Sequence, residues 1–344
     1  MAKMKIFVNS YCYNQAHVIT YNNKYTWAKL LIVLSGSNIL LSSLFIFMYF
    51  SFHHRMASCL MKNLVPLRVI CKAQSTFSSH KSRPLSTEKK VALVFGAGEA
   101  TGAACTKAFA LEGYTVIAVR RNKGATLGNI QDLEVRINNK LLNELRNNAK
   151  VYGYSVDARN ENEVESLIDD VENKFGPIHI ALHNIGPNMP QPFLSTYVQR
   201  YQKLFEISAT SSLIVGKECA KRMIARGTEG CIFFTGATAC LRGNANFSAF
   251  ASAMSAKRML AQSMAKELGP QGIHVAHVIV DGIIDTPFHQ TKASPVPRDV
   301  YTERSKNNGL IKAKNIANAF VYLSKQKKDA WTFEMDLRPW NEKW

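Results

Sequence analysis

Val91–Asn122, VALVFGAGEATGAACTKAFALEGYTVIAVRRN, decides the fold of this chain. An apolar run, VALVF, meets a glycine-rich turn. A helical segment follows, and then a second apolar run that ends on Arg120 and Arg121. Gly96 and Gly98 allow a tight turn that a Cβ would obstruct. Gly102 opens the helix, whose free N–H groups and dipole favour a phosphate at that end. Such loops also occur as plain strand-to-helix turns. Placed after a strand and at the start of a helix, this one predicts a cradle for the pyrophosphate of a dinucleotide.

Working outward, the same alternation continues to the end of the chain. Strands are predicted at 91–95, 115–119, 151–156, 178–182, 231–234 and 274–280. A last one, 331–337, alternates apolar Trp331, Phe333, Met335 and Leu337 with polar residues. Helices are predicted between them at 161–174, 200–224, 249–268 and 313–324. Short apolar strands separated by helices imply right-handed crossovers and a parallel sheet covered on both faces. The expectation is one α/β domain over 88–344, doubly wound, with a mostly parallel seven-stranded sheet. Ligands belong at the carboxyl ends of its strands. The polar stretch 287–308, with three prolines, reads as an irregular lid.

Residues 1–87 are of a different kind. This leader carries ten Lys or Arg and no acid, more than half of the net charge of +18. The basic balance is therefore poor support for nucleic-acid binding, and no basic patch interleaved with aromatics occurs in 88–344. Within the leader, 30–52 is uncharged over 23 residues, long enough to cross a bilayer as a helix. After it, 56–87 is rich in Ser, Lys and Arg, the composition of a mitochondrial transit peptide. Two expectations stand. Translation from Met56 or Met61 would give a mitochondrial protein; otherwise residues 30–52 anchor the chain in a membrane. Seven cysteines without a CxxC indicate neither a disulfide framework nor a zinc site, and no other metal site is indicated. A reducing compartment fits them best.

The glycine loop, Asp157 after the third strand, His183-Asn184-Ile185-Gly186 at the end of the fourth, and Asp281-Gly282-Ile283-Ile284-Asp285-Thr286 follow one another in a familiar order. With LAQSMAKELGPQGIHVAHVIVDG, they resemble the short-chain dehydrogenase/reductase family over essentially all of 88–344. The resemblance implies a Rossmann fold, an NAD(P) cofactor, and commonly a homo-oligomer. It assigns cofactor contacts to Gly96, Gly98, Gly102, Asp157, Asn184, Gly186 and Thr286, with Ala100 at the family's middle glycine. Members that prefer NAD carry an acid at the end of the second strand. Here Arg120, Arg121 and Lys123 stand there, which favours NADP over NAD, because guanidinium groups hold a 2′-phosphate well. The alternative is a solvated basic corner. The unusual ending WTFEMDLRPWNEKW reads as sheet packing or a subunit contact.

The same resemblance places catalysis on residues that this chain has replaced. The family's Tyr falls on Phe250, its Lys on Met254, its Ser on Ala237 and its Asn on Ser208. Phenylalanine has no proton to give, and methionine no charge. No tyrosine lies between Gln202 and Val300, so no other register supplies one. Thr238, beside Ala237, is the candidate for holding a carbonyl oxygen, though Thr235 and Thr238 can also satisfy strand-end backbone groups. Lys257 reads as a surface lysine, His183 as structural, and Asp281 and Asp285 as acids or loop caps. Tyr301 is a remote candidate.

Three functions compete. The first is an NADP(H)-dependent oxidoreductase acting on an unidentified carbonyl or alcohol by a non-standard proton route. The second is a dinucleotide-binding protein with little or no turnover, and the third a partner subunit of an active homologue.

Overall fold

The computed structural model describes residues 7–8, 16–23, 26–35, 90–122, 129–144, 150–291 and 294–343. It separates into two units, Met1–Ser82 and Arg83–Trp344. In the first, Ala16–Asn23 and Thr26–Ser35 form an antiparallel hairpin, with Phe7–Val8 added at its edge. This corrects the start of the expected helix over 30–52, because 30–35 belong to a strand. β-Branched residues in both arms of the hairpin (Val18, Ile19, Thr20, Ile32, Val33) favour extended chain. Residues 36–52 and the transit-like segment 56–87 lie outside the described residues. Among those described, no helix is long and apolar enough to cross a membrane.

The second unit is built on seven strands: β1 (Val91–Phe95), β2 (Thr115–Arg120), β3 (Val151–Ser155), β4 (Ile178–His183), β5 (Gly230–Ala237), β6 (Ile273–Val280) and β7 (Glu334–Leu337). Their order is β3-β2-β1-β4-β5-β6-β7, and every neighbouring pair is parallel. All residues of β1 and β6 are buried, as a sheet covered on both faces requires. Alternate side chains serve opposite layers. Ala92 and Val94 face α1 (Thr101–Leu111), α2 (Ile130–Glu144) and α8 (Ala313–Ser324) through Phe109, Leu133 and Phe320. Val91, Leu93 and Phe95 belong to the core shared with α3 (Glu161–Phe175), α5 (Ser211–Arg226) and α6 (Ser248–Leu268). The doubly wound expectation holds, with β1 and β4 flanking the point where the strand order reverses.

Three local departures have physical causes. The helix expected over 200–224 is α4 (Val198–Phe205) joined to α5 by a π-turn at Glu206–Thr210, which widens the helix and takes Ser208 into the core. The irregular lid is corrected: Pro287–Gln290 forms a 3-10 turn and Arg298–Lys306 forms α7. Thr286 Oγ1 caps that turn by accepting the Phe288 N–H at 3.1 Å, and a two-residue parallel ladder, Ile284–Asp285 on Ile311–Lys312, closes the base of the segment. Finally, β7 begins at Glu334 rather than Trp331. The Trp331 ring stacks on His274 at 4.8 Å, and the Thr332 N–H is taken by Gln326 Oε1 at 2.9 Å.

Candidate active site

The carboxyl ends of β1, β4, β5 and β6 open into a cleft of about 1020 Å³, near the top of the range for small-molecule and cofactor sites. Its floor at one end is the glycine loop. At Gly96 φ is +79°, and a Cβ there would lie 2.2 Å from the Asn184 carbonyl oxygen. A Cβ on Gly102 would lie 2.3 Å from Gly96 O and 2.6 Å from Ala97 Cα. At Gly98 the nearest atom would be 4.0 Å away, so that position opens onto the cleft instead of packing. Helix α1 starts here with no side-chain cap and no acid in its first turn, which leaves backbone N–H groups for an anion. Ala100, in place of the family's middle glycine, also lines the cleft. These features fit a bound pyrophosphate.

Asn184 and Gly186 come from the end of β4. Asn184 donates its side-chain N–H to Gly96 O at 3.0 Å and its backbone N–H to Phe95 O at 2.9 Å, pinning the glycine loop to the neighbouring strand. Gly186 lines the cleft where a Cβ would meet Met254 Sδ at 3.3 Å. Thr286 lines the far side.

At the adenosine end expected for a dinucleotide, Arg120 Nη1 donates to Glu99 Oε1 at 3.1 Å and Nη2 to Asn129 O at 2.8 Å. Arg136 pairs with the other oxygen of Glu99. Arg121, half exposed, lies 3.9 Å from Asp157. Asp157 is held by Arg159, whose Nε donates at 2.9 Å, and this guanidinium brings its carboxyl down to about 2. Glu99 lines the cleft, whereas Arg120, Arg121 and Asp157 are not among the lining residues. Glu99 gave no signal in the sequence beyond its place between two glycines, and its partners come from separate elements.

At the opposite end stand the replaced catalytic positions. Phe250 and Met254, on the first two turns of α6, are buried and pack with Cys240 and Ile279. With Phe247 they form an apolar wall of the cleft. Ala237 ends β5 and Thr238 follows it, both lining the cleft. Ser208 is buried in the π-turn, outside the lining, and its hydroxyl has no hydrogen-bond partner among the described residues.

Thr238 donates its hydroxyl to Asp281 Oδ1, and Arg242 Nη2 donates to Asp281 Oδ2 at 2.7 Å. Arg338 lies 3.4 Å from the same carboxylate. A 3-10 turn at Thr238–Cys240 brings Arg242 round beside Thr238, with the Arg242 N–H returning to Thr238 O at 3.1 Å. The sequence reading found Thr238 and Asp281 separately but missed Arg242. The four-residue spacing from Thr238, in an otherwise apolar stretch, was the available signal.

Three further candidates are placed elsewhere. Lys257 is a correction: it is fully buried, and its ammonium donates to the carbonyls of Ile185 and, at 3.3 Å, Thr235. Burial brings its pKa down to about 7. His183 is also buried and bonds Ser211 Oγ at 2.8 Å, a packing role; desolvation, then the nearby Lys257 charge, keeps it neutral well below its usual range. Tyr301 donates to Asp285 Oδ1 at 2.6 Å, which engages both residues away from the cleft. The core cysteines 105, 219, 231 and 240 are free thiols. Burial pushes Cys219 and Cys231 up to about 12, far from a reactive thiolate. No group of three His, Cys, Asp or Glu among the described residues is placed to hold a metal.

Comparison with known proteins agrees with this fold. The family model described as enoyl-(acyl carrier protein) reductase matches residues 96–334. A crystal structure of a short-chain dehydrogenase from Rhodopseudomonas palustris is 36% identical; the match covers 74% of this chain and 99% of that one, with a TM-score of 0.58. The L-xylulose reductase of Mesocricetus auratus is 27% identical over 241 residues, 70% of this chain and 91% of that protein. In fold, the chain is also similar to an alcohol dehydrogenase from Thermococcus sibiricus complexed with 5-hydroxy-NADP, at a TM-score of 0.61 and 21% identity, over 74% of this chain and 99% of that one. Fold and cleft are those of the doubly wound α/β class to which dinucleotide-binding oxidoreductases belong. The chain belongs to the short-chain dehydrogenase/reductase family.

Proposed function

We propose that this protein is an NADP(H)-dependent oxidoreductase that interconverts an alcohol and a carbonyl, with the proton passing through Thr238 to Asp281. The observation that carries the reading is the hydrogen bond from the Thr238 hydroxyl to Asp281 at the cleft end where the family's Ser and Tyr are absent. The dinucleotide, when bound, supplies or takes the hydride. In the oxidative direction the substrate hydroxyl gives its proton to Thr238 Oγ as Thr238 gives its own to the Asp281 carboxylate. The reverse shift reprotonates the alkoxide in reduction. Arg242 and Arg338 steady the carboxylate. Phe247, Phe250 and Met254 keep water from the reacting atoms. The relative named L-xylulose reductase supports the same reaction class.

The cleft end near Glu99 supports NADP over NAD: one carboxylate aligns two guanidinium groups there, those of Arg120 and Arg136. Titration with NADPH and NADH, followed by turnover of an aldehyde, ketone and enoyl-thioester panel, tests the whole reading. Consumption of NADPH with a ketone or aldehyde is the expected result. Tight binding without consumption would overturn the enzyme in favour of a dinucleotide-binding protein. Absence of binding would overturn both. We also propose self-association, supported by exposed Phe193, Leu194 and Tyr197 just before α4 and Val198 at its start, which light scattering of the purified protein checks. The acid-free leader supports a targeting role, either mitochondrial import or membrane anchoring. Sequencing the mature N-terminus distinguishes them.

A further inference from the structure

We infer that the substrate is an acid: an oxo acid, or the matching hydroxy acid, whose carboxylate pairs with Arg242 and whose reacting oxygen sits on Thr238. This rests on the oxidoreductase reading and names the substrate class of that same cleft.

The charges at the substrate end are arranged with the positive group in front. Asp281 lies behind, its side chain only 3% exposed, and Arg242 covers it with 36% of its own side chain open. The other charged residues of the lining do not reverse this sign. Glu342 is taken by Arg304, Glu99 is taken by Arg120 and Arg136 beside the glycine loop, and Lys343 is exposed and positive. An anion entering the cleft therefore meets a guanidinium, while the carboxylate behind it is already bonded.

The surroundings are apolar. Phe247, Phe250, Met254, Val280, Ile283 and Phe288 supply much of the wall. In such a place an isolated cation is expensive unless something pairs with it, and Asp281 takes one of its nitrogens. A planar guanidinium presents further donors in a fixed fork that matches a carboxylate. The apolar walls suit a hydrocarbon body.

The spacing narrows the class. Thr238 and Arg242 bond the two oxygens of one carboxylate, so both groups stand beside the same point of the cleft. A substrate that uses both carries its oxo or hydroxyl group close to its own carboxylate, as 2- and 3-oxo acids do. The redox step leaves that carboxylate unchanged. A bound dinucleotide would take the hydride of the carbinol C–H, and the O–H proton would pass through Thr238 to Asp281.

The test uses the full chain saturated with NADPH and a pair of unreactive probes of one shape, 3-phenylpropanoate and 3-phenylpropanamide, with affinities from calorimetry. Wild type is expected to bind the acid about tenfold or more tighter, the value of a charge-assisted hydrogen bond. Arg242→Met should erase the difference, Arg242→Lys should retain part of it, and Lys343→Ala should leave it in place. Equal binding of acid and amide by wild type would overturn the inference, and that comparison needs no variant to fold. Survival of the preference in Arg242→Met would overturn it too. Turnover is read separately with 3-phenyl-2-oxopropanoate and its methyl ester. An acid preference through Arg242 with no turnover of any carbonyl would leave the acid site standing and remove the redox reading. Turnover of the ester as fast as the acid would keep the enzyme and remove the acid site.

Discussion

Glu99 of the glycine loop and Arg120 at the end of β2 form an ion pair at 3.1 Å, and Arg136 closes on the other oxygen of the same carboxylate. Two guanidinium groups are thereby held side by side, near where the ribose of a dinucleotide would lie. Removing the negative charge while keeping the shape should favour a 2′-phosphate. Glu99→Gln is expected to tighten NADPH by about tenfold, the scale of one charge-assisted contact, with NADH little changed. Arg120→Met should weaken NADPH selectively. Fluorescence titration with both cofactors checks this, and wild-type preference for NADH would remove the NADP assignment.

Asp281 accepts from Thr238 and Arg242 together, so its shape and its proton-accepting role separate by substitution. Asp281→Asn keeps the shape and loses the base. It is expected to lower kcat by roughly 10²–10⁴, the range for losing a general acid–base group, while NADPH affinity persists. Thr238→Val should behave alike, and Thr238→Ser should recover most of the activity because it restores the hydroxyl. A full rate in Thr238→Val would show that the proton takes another path.

Most of the fold was legible because each strand is an apolar run and each helix carries its own period. β1 and α8 fall at their expected limits, 91–95 and 313–324. The errors lie where tertiary bonds decide. Trp331 belongs to a stack on His274, and the leader's strand at 26–35 is one arm of a hairpin. The glycine loop was equally legible, since Gly96 and Gly102 answer to local backbone geometry. The electrostatic parts were not. Glu99 meets arginines from β2 and α2, Thr238 meets Asp281 from β6, and Lys257 is buried against carbonyls of residues 185 and 235. Spacing along a chain does not report such pairings.

Lys257 offers a pH test. Its folded pKa of about 7 lies below the 10.5 of an exposed lysine because burial disfavours the ammonium. Between those values the folded chain binds fewer protons than the unfolded one, so stability rises with pH across that window. Relative to Lys257→Met, wild type should gain up to about 1.4 kcal/mol per pH unit between pH 7.5 and 9.5 in urea unfolding. A difference that stays flat would mean that the amine keeps its ordinary pKa. Desolvation also depresses His277, to about 4, so its contribution is present above pH 6.5 and is lost as pH falls through 4. The two slopes occupy separate pH ranges and can be measured on one protein.

The three loop glycines should part company on substitution. Gly102→Ala places a methyl 2.3 Å from Gly96 O and 2.6 Å from Ala97 Cα, both backbone atoms that cannot swing aside. Gly96→Ala adds a Cβ 2.2 Å from Asn184 O at a φ of +79°, so it is strained by conformation as well as by contact. Both should lower the unfolding midpoint and abolish cofactor binding. Gly98→Ala meets nothing nearer than 4.0 Å in the free protein, so its stability should match wild type. Its methyl nevertheless points into the space a pyrophosphate would fill, where close backbone approach matters. Gly98→Ala is therefore expected to melt normally and bind NADPH at least about tenfold more weakly, the loss of roughly 1.4 kcal/mol of contact. Thermal denaturation and a cofactor titration on the same preparations separate the cases. Normal NADPH affinity in Gly98→Ala would place the phosphates elsewhere in the cleft.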